Sequence, residues 1–191
     1  VQDKDDNSSD YLGWASGQKK VSELLGEGGK LSFAFTHLLT RFSVTFKLGT
    51  EFNVSGVPAQ NIISDVVLSG TTRDFMLKGA TGYTSFTVEP GAAASDIKPY
   101  NAGWTSAADV KGNCISVYEC ILVPQTVASG VLKISFKAAG KNYEWTLPEG
   151  RKLEGSTAYT LTLKVGKDAV IAGGFTATEW TETPGGELET E

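Results

Sequence analysis

The segment LSFAFTHLLTRFSVTFKL, residues 31–48, alternates apolar with polar side chains over most of its length. The apolar members are Leu31, Phe33 and Phe35 in the first half and Phe42, Val44, Phe46 and Leu48 in the second. Successive side chains of a strand point to opposite faces of a sheet, so this alternation predicts two half-buried β-strands. They are joined around His37-Leu38-Leu39, where the alternation breaks. A two-residue period sustained this long is typical of a β-sandwich or a β-barrel.

Shorter segments of the same kind follow along the chain. A long strand is predicted at residues 115–123 and a last strand at 175–180. Between them, residues 132–136, 143–147 and 159–165 alternate and are separated by glycine-containing turns, which predicts a three-stranded antiparallel meander. Periodic segments of helical length are absent, so the predicted class is all-β.

Size and charge limit the classes of function. A chain of 191 residues with 10% aromatic and 20% charged residues is large enough for one large β domain or two small ones. Its net charge of −5 is concentrated at the ends, because residues 1–10 carry −3, the last thirteen carry −5 and the body carries +3. A nearly neutral body between two acidic tails lacks the basic face that nucleic acid requires, so no nucleic-acid partner is expected.

The chain has no apolar run of the length that spans a membrane. It starts at Val1, without a methionine or the basic and apolar regions of a secretion signal. We therefore expect either that a targeting segment was removed or that the chain is a processed or trimmed piece of something longer.

Candidate chemistry is sparse. His37 is the only histidine, and because it lies at the bend between the two predicted strands we expect a structural role, hydrogen-bonded in the turn, rather than catalysis. Asp3, Asp5 and Asn7 match the start of a calcium loop, but Ser8 stands at the required glycine and Trp14 at the required glutamate. No nucleophile, zinc or phosphate-loop motif occurs, and the carboxylates are scattered. We predict no enzyme activity, no metal and no cofactor.

Cys114 and Cys120 lie on one predicted strand, which places them about 20 Å apart, whereas a disulfide needs Cα atoms within about 7 Å. We predict that they are not bonded to each other.

The region from Glu89 to Gly112 is rich in Pro, Ala and Gly, has no period and is predicted to be a long loop. Trp104 lies there with Tyr100 and Asn101 nearby, which is the composition of a loop that contacts carbohydrate or a protein partner. The alternative, which we favour, is an aromatic side chain that packs down over the core.

Five short motifs together resemble the fimbrillin-like proteins of Bacteroidales (Bacteroidetes), the subunits of type V pili and their relatives. The matching segments, in order, are SDYL (9–12), LSFAFTHLLTRFSVTF (31–46), VPQT (123–126), GSTAYTLTLKV (155–165) and TATEW (176–180). The positions that carry the resemblance, called here the signature residues, are His37, Arg41, Pro124, Gln125, Tyr159 and Trp180.

The resemblance implies transthyretin-like β-sandwich domains, two to a subunit, and export as a lipoprotein whose anchor lies on a precursor. It also implies proteolytic trimming and polymerisation by donor-strand insertion. Family members carry a substantial block of sequence before the histidine-bearing strand pair, but only thirty residues precede Leu31 here. We therefore expect residues 1–55, including the 31–48 strand pair, to be the remnant of an incomplete N-terminal domain. Residues 56–183 would form a C-terminal sandwich, and 184–191 an acidic tail.

These observations predict a non-enzymatic fimbrial or adhesin-like subunit at the cell surface, in a fimbrium of the outer membrane. Its partners would be other fimbrial subunits, with surface glycans or proteins as further ligands. The tail TETPGGELETE (181–191) offers only Leu188 as an apolar residue and is broken at Pro184-Gly185-Gly186, so it is a poor donor strand. We expect the chain to accept a strand, as a tip or accessory subunit. The alternative is a stand-alone β-sandwich that binds carbohydrate.

Overall fold

The computed structural model describes residues 11–13, 20–25, 35–78, 85–108 and 112–180, which are almost entirely β-stranded. The strands of the first half are β1 (Leu12–Gly13), β2 (Thr36–His37), β3 (Thr40–Leu48), β4 (Ile63–Thr71), β5 (Phe75–Lys78), β6 (Ser85–Val88), β7 (Ser95–Ile97) and β8 (Tyr100–Thr105). Those of the second half are β9 (Ile115–Leu122), β10 (Gln125–Val127), β11 (Lys133–Ala138), β12 (Lys141–Thr146), β13 (Arg151–Leu153), β14 (Thr157–Val165) and β15 (Val170–Glu179). The helical elements are one α-helical turn, α1 (Val21–Leu24), and one 3-10 turn (Thr50–Asn53).

Two sheets form a sandwich, which confirms the predicted class. One sheet has five strands in the order β15-β14-β3-β9-β8, and the other has four in the order β12-β11-β4-β7. Neighbours are antiparallel except β3 and β14, which run parallel in unbroken register from Thr40 opposite Thr157 to Leu48 opposite Val165. Three small two-stranded sheets, β1-β2, β5-β6 and β10-β13, complete the described structure.

One apolar core lies between the two sheets. From the five-stranded sheet it contains Phe42, Val44, Phe46 and Leu48 of β3 together with the inward side chains of β9 and β14. Phe46 meets Phe136 of the opposite sheet with ring centroids 4.6 Å apart. The alternation in the second half of residues 31–48 is therefore the alternation between core and outer face, as predicted.

The first half of that segment behaves differently. β2 pairs with β1, through His37 opposite Leu12 and Thr36 opposite Gly13, and it does not pair with β3. Phe35 is exposed, and residues 31–34 lie outside the described residues. Leu38 and Leu39 form a small second apolar cluster with Val123, against which Phe75 and Val88 pack.

The predicted division at residue 55 needs correction. The strand assigned to an N-terminal remnant, β3, lies between β9 and β14 in the middle of the predicted C-terminal sandwich. Its side chains share one core with those strands, so β3 and the strands of the two sheets that follow residue 56 belong to the same sandwich. A two-residue period gives a strand's faces but not its neighbours, which explains the error. The interpretation of the residues before β3 as a domain remnant stays a prediction, and the tail 184–191 lies outside the described residues.

The predicted meander is correct only for its first two strands. β11 and β12 form an antiparallel hairpin, but β14 lies in the other sheet. The connection from β12 includes β13, which pairs with β10 and carries the chain across the end of the sandwich. β14 then pairs antiparallel with β15, so the predicted last strand is present but begins earlier, at Val170.

The region predicted as a loop between residues 89 and 112 contains two strands. β7 is an edge of the four-stranded sheet and β8 an edge of the five-stranded sheet. Lys98 and Pro99 connect them, so the chain crosses between the sheets there. Backbone hydrogen bonding to β9, rather than side-chain alternation, makes β8 a strand, and its register shifts between Asn101 and Gly103. Sequence periodicity therefore missed it.

Cys114 and Cys120 are both buried free thiols, which confirms that they do not form a disulfide. Burial in apolar surroundings raises the pKa of the Cys120 thiol, and the neighbouring Glu119 charge adds to this. A thiol in that state is a packing element rather than a nucleophile.

Candidate functional site

His37 and Trp180 come together at one end of the sandwich. The imidazole and indole rings are stacked, with centroids 3.7 Å apart and planes 2° from parallel. His37 is buried, with 3% of its surface exposed, and its carbonyl accepts a hydrogen bond from the hydroxyl of Ser156. The carbonyl of Ser156 in turn accepts from the backbone N–H of Trp180 at 2.9 Å. Ser156 therefore ties the end of β15 to β2.

The turn around Ser156 is bound closely to the chain before β3. The backbone N–H of Ser156 donates to the carbonyl of Leu39 at 3.0 Å, and the Thr40 hydroxyl donates to the carbonyl of Glu154 at 2.7 Å. Ser156 has φ of 56°, a left-handed conformation that is uncommon for a residue with a side chain. Its several hydrogen bonds hold that conformation.

The side chain of Gln125 makes the hydrogen bonds to the backbone just after β4 that a neighbouring strand would otherwise make. Its side-chain carbonyl accepts from the N–H of Thr72 at 3.0 Å, and its amide donates to the carbonyl of Thr72 at 3.1 Å. The same amide donates to the carbonyl of Val123 at 2.9 Å. Pro124, directly before it, follows the end of β9. Its missing backbone N–H costs no hydrogen bond there, because the strand pairing has already ended. Gln125 thus satisfies backbone groups where the sheet stops.

Tyr159 fastens the connection between β13 and β14. Its side chain is buried, and its hydroxyl donates to the carbonyl of Lys152 at 3.2 Å and accepts from the N–H of Glu154 at 3.1 Å. This holds the chain before Ser156 in place. Five of the six signature residues therefore lie around the same end of the sandwich.

A cavity of about 740 Å³ opens between these groups. The residues that line it are Leu38, Gly70, Thr72, Val88, Ala92, Ala94, Pro124, Gln125, Thr126, Lys152, Leu153, Glu154, Gly155 and Ser156. Most of these side chains are small or apolar, and the charged pair, Lys152 and Glu154, joins at 2.9 Å on the exposed rim. We call this cavity the end groove. It can receive an extended segment of chain, because its lining is mostly small or apolar and carries few charges.

The sixth signature residue, Arg41, lies on the outer face of the five-stranded sheet. One guanidinium nitrogen of Arg41 donates to both carboxylate oxygens of Glu119, at 2.8 and 2.7 Å. Ser43 and Tyr100 add hydroxyl hydrogen bonds to the same carboxylate, at 2.9 and 2.8 Å. Three donors from two strands, β3 and β8, therefore meet one carboxylate on β9.

These contacts set the protonation of the cluster. Burial alone would raise the pKa of Glu119, but the hydrogen bonds from Arg41, Tyr100 and Ser43 outweigh burial and hold it below its ordinary value. Burial, together with the hydrogen bond to the Glu119 carboxylate, raises the pKa of Tyr100 to about 12. The carboxylate is therefore ionised and the phenol neutral at physiological pH. The cluster links neighbouring strands by hydrogen bonds and is not tuned to act as a general acid or base. Glu119 was not among the residues predicted from the sequence, although it is the only charged residue within β9.

Trp104, Tyr100 and Asn101 do not form a single contact surface. Trp104 is partly buried and packs against the core, as the favoured alternative held, and its indole N–H donates to the hydroxyl of Ser106 at 3.2 Å. It pairs opposite the buried Ser116, whereas Tyr100 pairs opposite Glu119 on the outer face. The side-chain carbonyl of Asn101 accepts from the N–H of Gly103 at 2.9 Å within β8. A glycan-contacting role for these three residues stays a prediction.

Within the described ranges, no group of three or more His, Cys, Asp or Glu side chains is placed to hold a metal ion. Among the described helices, none has the length and apolarity to cross a membrane.

The two packed sheets define a β-sandwich, and comparison with known proteins gives the family. A family model described as fimbrillin-like matches residues 1–180. The chain therefore belongs to the fimbrillin-like family, whose members are structural fimbrial proteins. No curated protein matches the sequence.

The solved structures that are similar to this chain come from Bacteroides and Porphyromonas species. A candidate cell adhesion protein from Bacteroides uniformis has a TM-score of 0.53 and 17% identity, covering 80% of this chain and 55% of that one. A second, from Bacteroides ovatus, has a TM-score of 0.50 and 15% identity, covering 82% of this chain and 52% of that one. The tip fimbrial protein Mfa3 of Porphyromonas gingivalis has a TM-score of 0.47 and 9% identity, covering 80% and 55%. Likeness at these identities shows the fold alone, and this chain spans about half the length of those structures.

Proposed function

We propose that this chain is a structural subunit of a fimbrium at the outer surface of the cell and that it assembles by accepting a strand from a neighbouring subunit. The observation that carries the proposal is the fimbrillin-like match over residues 1–180, which spans both sheets and the end groove. The lipid anchor that the family resemblance implies would then belong to a precursor.

The end groove is our candidate for the acceptor site. A donated strand needs an apolar trough for alternate side chains and unpaired backbone groups alongside it. The groove floor has Leu38 and Leu153, and its walls include the small residues Ala92 and Ala94. The bordering strands β6 and β10 each pair with a single partner among the described strands, so each keeps one free edge.

We further propose a tip or accessory position for the subunit. The segment 181–191 lies outside the described residues, and its sequence has a single apolar side chain, Leu188, after Pro184-Gly185-Gly186. Such a segment fills a groove poorly, so a subunit that accepts a strand without donating through this tail ends or branches a polymer rather than extending it.

The test is an SDS gel, run without boiling, of the native surface fraction. We expect a ladder of multimers that collapses on boiling, because inserted strands dissociate slowly. Ala94→Trp fills the end groove and should remove the ladder, whereas the matched control Ala128→Trp, at an exposed position outside the groove, should leave it unchanged. A ladder that survives Ala94→Trp contradicts the groove as acceptor.

A single monomer band on the unboiled gel contradicts strand exchange itself. It favours the alternative function, a stand-alone carbohydrate-binding protein. The decisive comparison is then wild type against Trp104→Ala in a glycan-binding assay followed by tryptophan fluorescence. Loss of a glycan-dependent shift in the variant would support that alternative.

A further inference from the structure

The outer edge of β15 is open for most of its length. Hydrogen bonds from Gly166 N–H to Ala169 C=O and from Trp180 N–H to Ser156 C=O fix which β15 residues face β14 at each end of the ladder. Because bonded and non-bonded pairs alternate in an antiparallel ladder, every second residue directs its N–H and C=O away from β14. Allowing for the register shift at Gly173, these outward residues are Val170, Ala172, Phe175, Ala177 and Glu179.

Beyond the register shift at Gly173, this edge lacks the usual protection against pairing. β15 is ten residues long and has neither a charge nor a proline between Val170 and Thr178. Of the other sandwich edges, β12 carries Lys141 and Glu144, β7 has three residues, and β8 is interrupted by a register shift. Natural sheets use charges, short strands and bulges to block edge-to-edge association. The stretch of β15 after its own register shift, residues 174–178, is the least blocked edge among the described strands.

Two charges beside this edge have no ion-pair partner among the described residues. The guanidinium of Arg151 lies over the ring of Phe175, 4.3 Å from its centroid, and the Arg151 side chain is exposed. Glu179 is exposed at the end of β15. Phe175, Ala177 and Glu179 share one face of the strand, because side chains two residues apart point the same way. Phe175 marks it as the core-side face, since it packs against Tyr159 with centroids 5.7 Å apart.

We propose that two copies of this chain pair through the free edges of β15, antiparallel and centred on Ala177, to form one continuous sheet. In this register Phe175 of one copy lies opposite Glu179 of the other, and Ala177 lies opposite Ala177. Directly opposed residues of an antiparallel pair are about 5.5 Å apart and their side chains share a face. Glu179 of each copy therefore meets Arg151 of the other, and the two-fold axis forms this ion pair twice.

The small side chain at the axis and the matched charges favour a second copy of this chain as the occupant of the edge. A two-fold contact is closed and stops at two copies, unlike strand donation, which continues along a polymer. The inference does not depend on the proposed fimbrial role, and a dimer in the absence of a ladder would separate the two.

Sedimentation velocity of the purified chain tests the contact. We expect the 20.3 kDa species to be replaced by one of twice that mass as protein concentration rises from about 1 µM to about 500 µM, the range for a contact of modest area. A chain that stays monomeric throughout overturns the proposal.

Two proline variants test the register. Ala177→Pro removes an N–H that points away from β14, so the subunit keeps its own hydrogen bonds while the dimer loses the two at its centre, one from each copy. We expect dimerisation to weaken at least tenfold. Ala172→Pro is the matched control, since its N–H also points outward but lies beyond the five paired residues. An unchanged dimer in Ala177→Pro, or a dimer equally lost in Ala172→Pro, overturns the register.

Charge reversal tests the partner independently of any effect on folding. Arg151→Glu and Glu179→Arg should each weaken the dimer, and the double variant should restore it, because the exchanged charges again face each other. Circular dichroism melting confirms that each variant is folded. Failure of the double variant to recover dimerisation, with folding intact, overturns the Arg151–Glu179 contact.

Discussion

The imidazole of His37 lies flat on the indole of Trp180, with ring centroids 3.7 Å apart, and joins the beginning of the described β-structure to its last strand. The stack closes the end of the sandwich beside the end groove, whose lining includes the neighbouring Leu38 and Ser156. The only histidine in the chain is thus surrounded by packing and backbone contacts.

Loss of this stack should destabilise the protein strongly. His37→Ala removes a buried ring and its aromatic contact, and we expect the free energy of unfolding to fall by about 2–4 kcal/mol. Urea unfolding followed by tryptophan fluorescence measures this. Trp180→Phe is the control that keeps a stacking ring, and it should cost less than Trp180→Ala. Equal stability of His37→Ala and wild type would contradict a structural role.

Gln125 should matter through its amide rather than its size. Gln125→Ala leaves the N–H and C=O of Thr72 without their side-chain partners, and the expected loss is about 1–3 kcal/mol of unfolding free energy. Thr126→Ala, the next position and exposed, serves as the matched control and should change stability by less than about 0.5 kcal/mol. Hydrogen exchange at the Thr72 amide should accelerate in the first variant only. An unaltered exchange rate would refute the amide's role.

The Glu119 cluster predicts a pH dependence of stability. The folded-state pKa of Glu119 lies below its unfolded value, so its contribution is fully present above the unfolded pKa. It is lost as pH falls through the folded pKa. Wild type should therefore exceed Glu119→Gln in unfolding free energy at pH 7, and the difference should shrink progressively below about pH 4.

The control for this prediction is Glu144→Gln, which removes an exposed ion pair with Lys133 at 3.1 Å. Exposed pairs contribute about 0–1 kcal/mol, so this variant should follow the wild-type pH profile closely. If the gap between wild type and Glu119→Gln were constant from pH 7 to pH 3, the ionised carboxylate would not be its source.

Gly70 should tolerate no side chain. Its φ is +88°, and a Cβ built there would lie 2.0 Å from the carbonyl oxygen of Val131. Gly70→Ala should cost at least about 3 kcal/mol, because backbone must move as well as adopt a strained conformation. Gly130→Ala separates the two effects, since Gly130 has φ of +77° but nothing within 4 Å, and about 1 kcal/mol is expected. Thermal melts that rank the two variants equally would contradict the steric argument.

Much of this architecture could be predicted because it depends on residues that are close together in the sequence. The alternation at Phe42, Val44 and Phe46 places those side chains on one face of a strand, and the structure buries them. The length of the predicted strand that carries Cys120 places Cys114 too far away for a disulfide. The glycine turn between β11 and β12 likewise predicted their hairpin, since a short turn forces adjacent strands to pair.

The sequence by itself determined the all-β class, the faces of its strongest strands and the unbonded cysteines, because a two-residue period and a strand's length are properties of neighbouring residues. Only the tertiary structure decided that β3 lies parallel to β14 and that β14 leaves the meander for the other sheet. It also decided that Glu119 meets Arg41 and that Trp104 turns toward the core. Those outcomes depend on which apolar faces bury each other across long stretches of chain, and the local pattern is the same whichever partner a strand acquires.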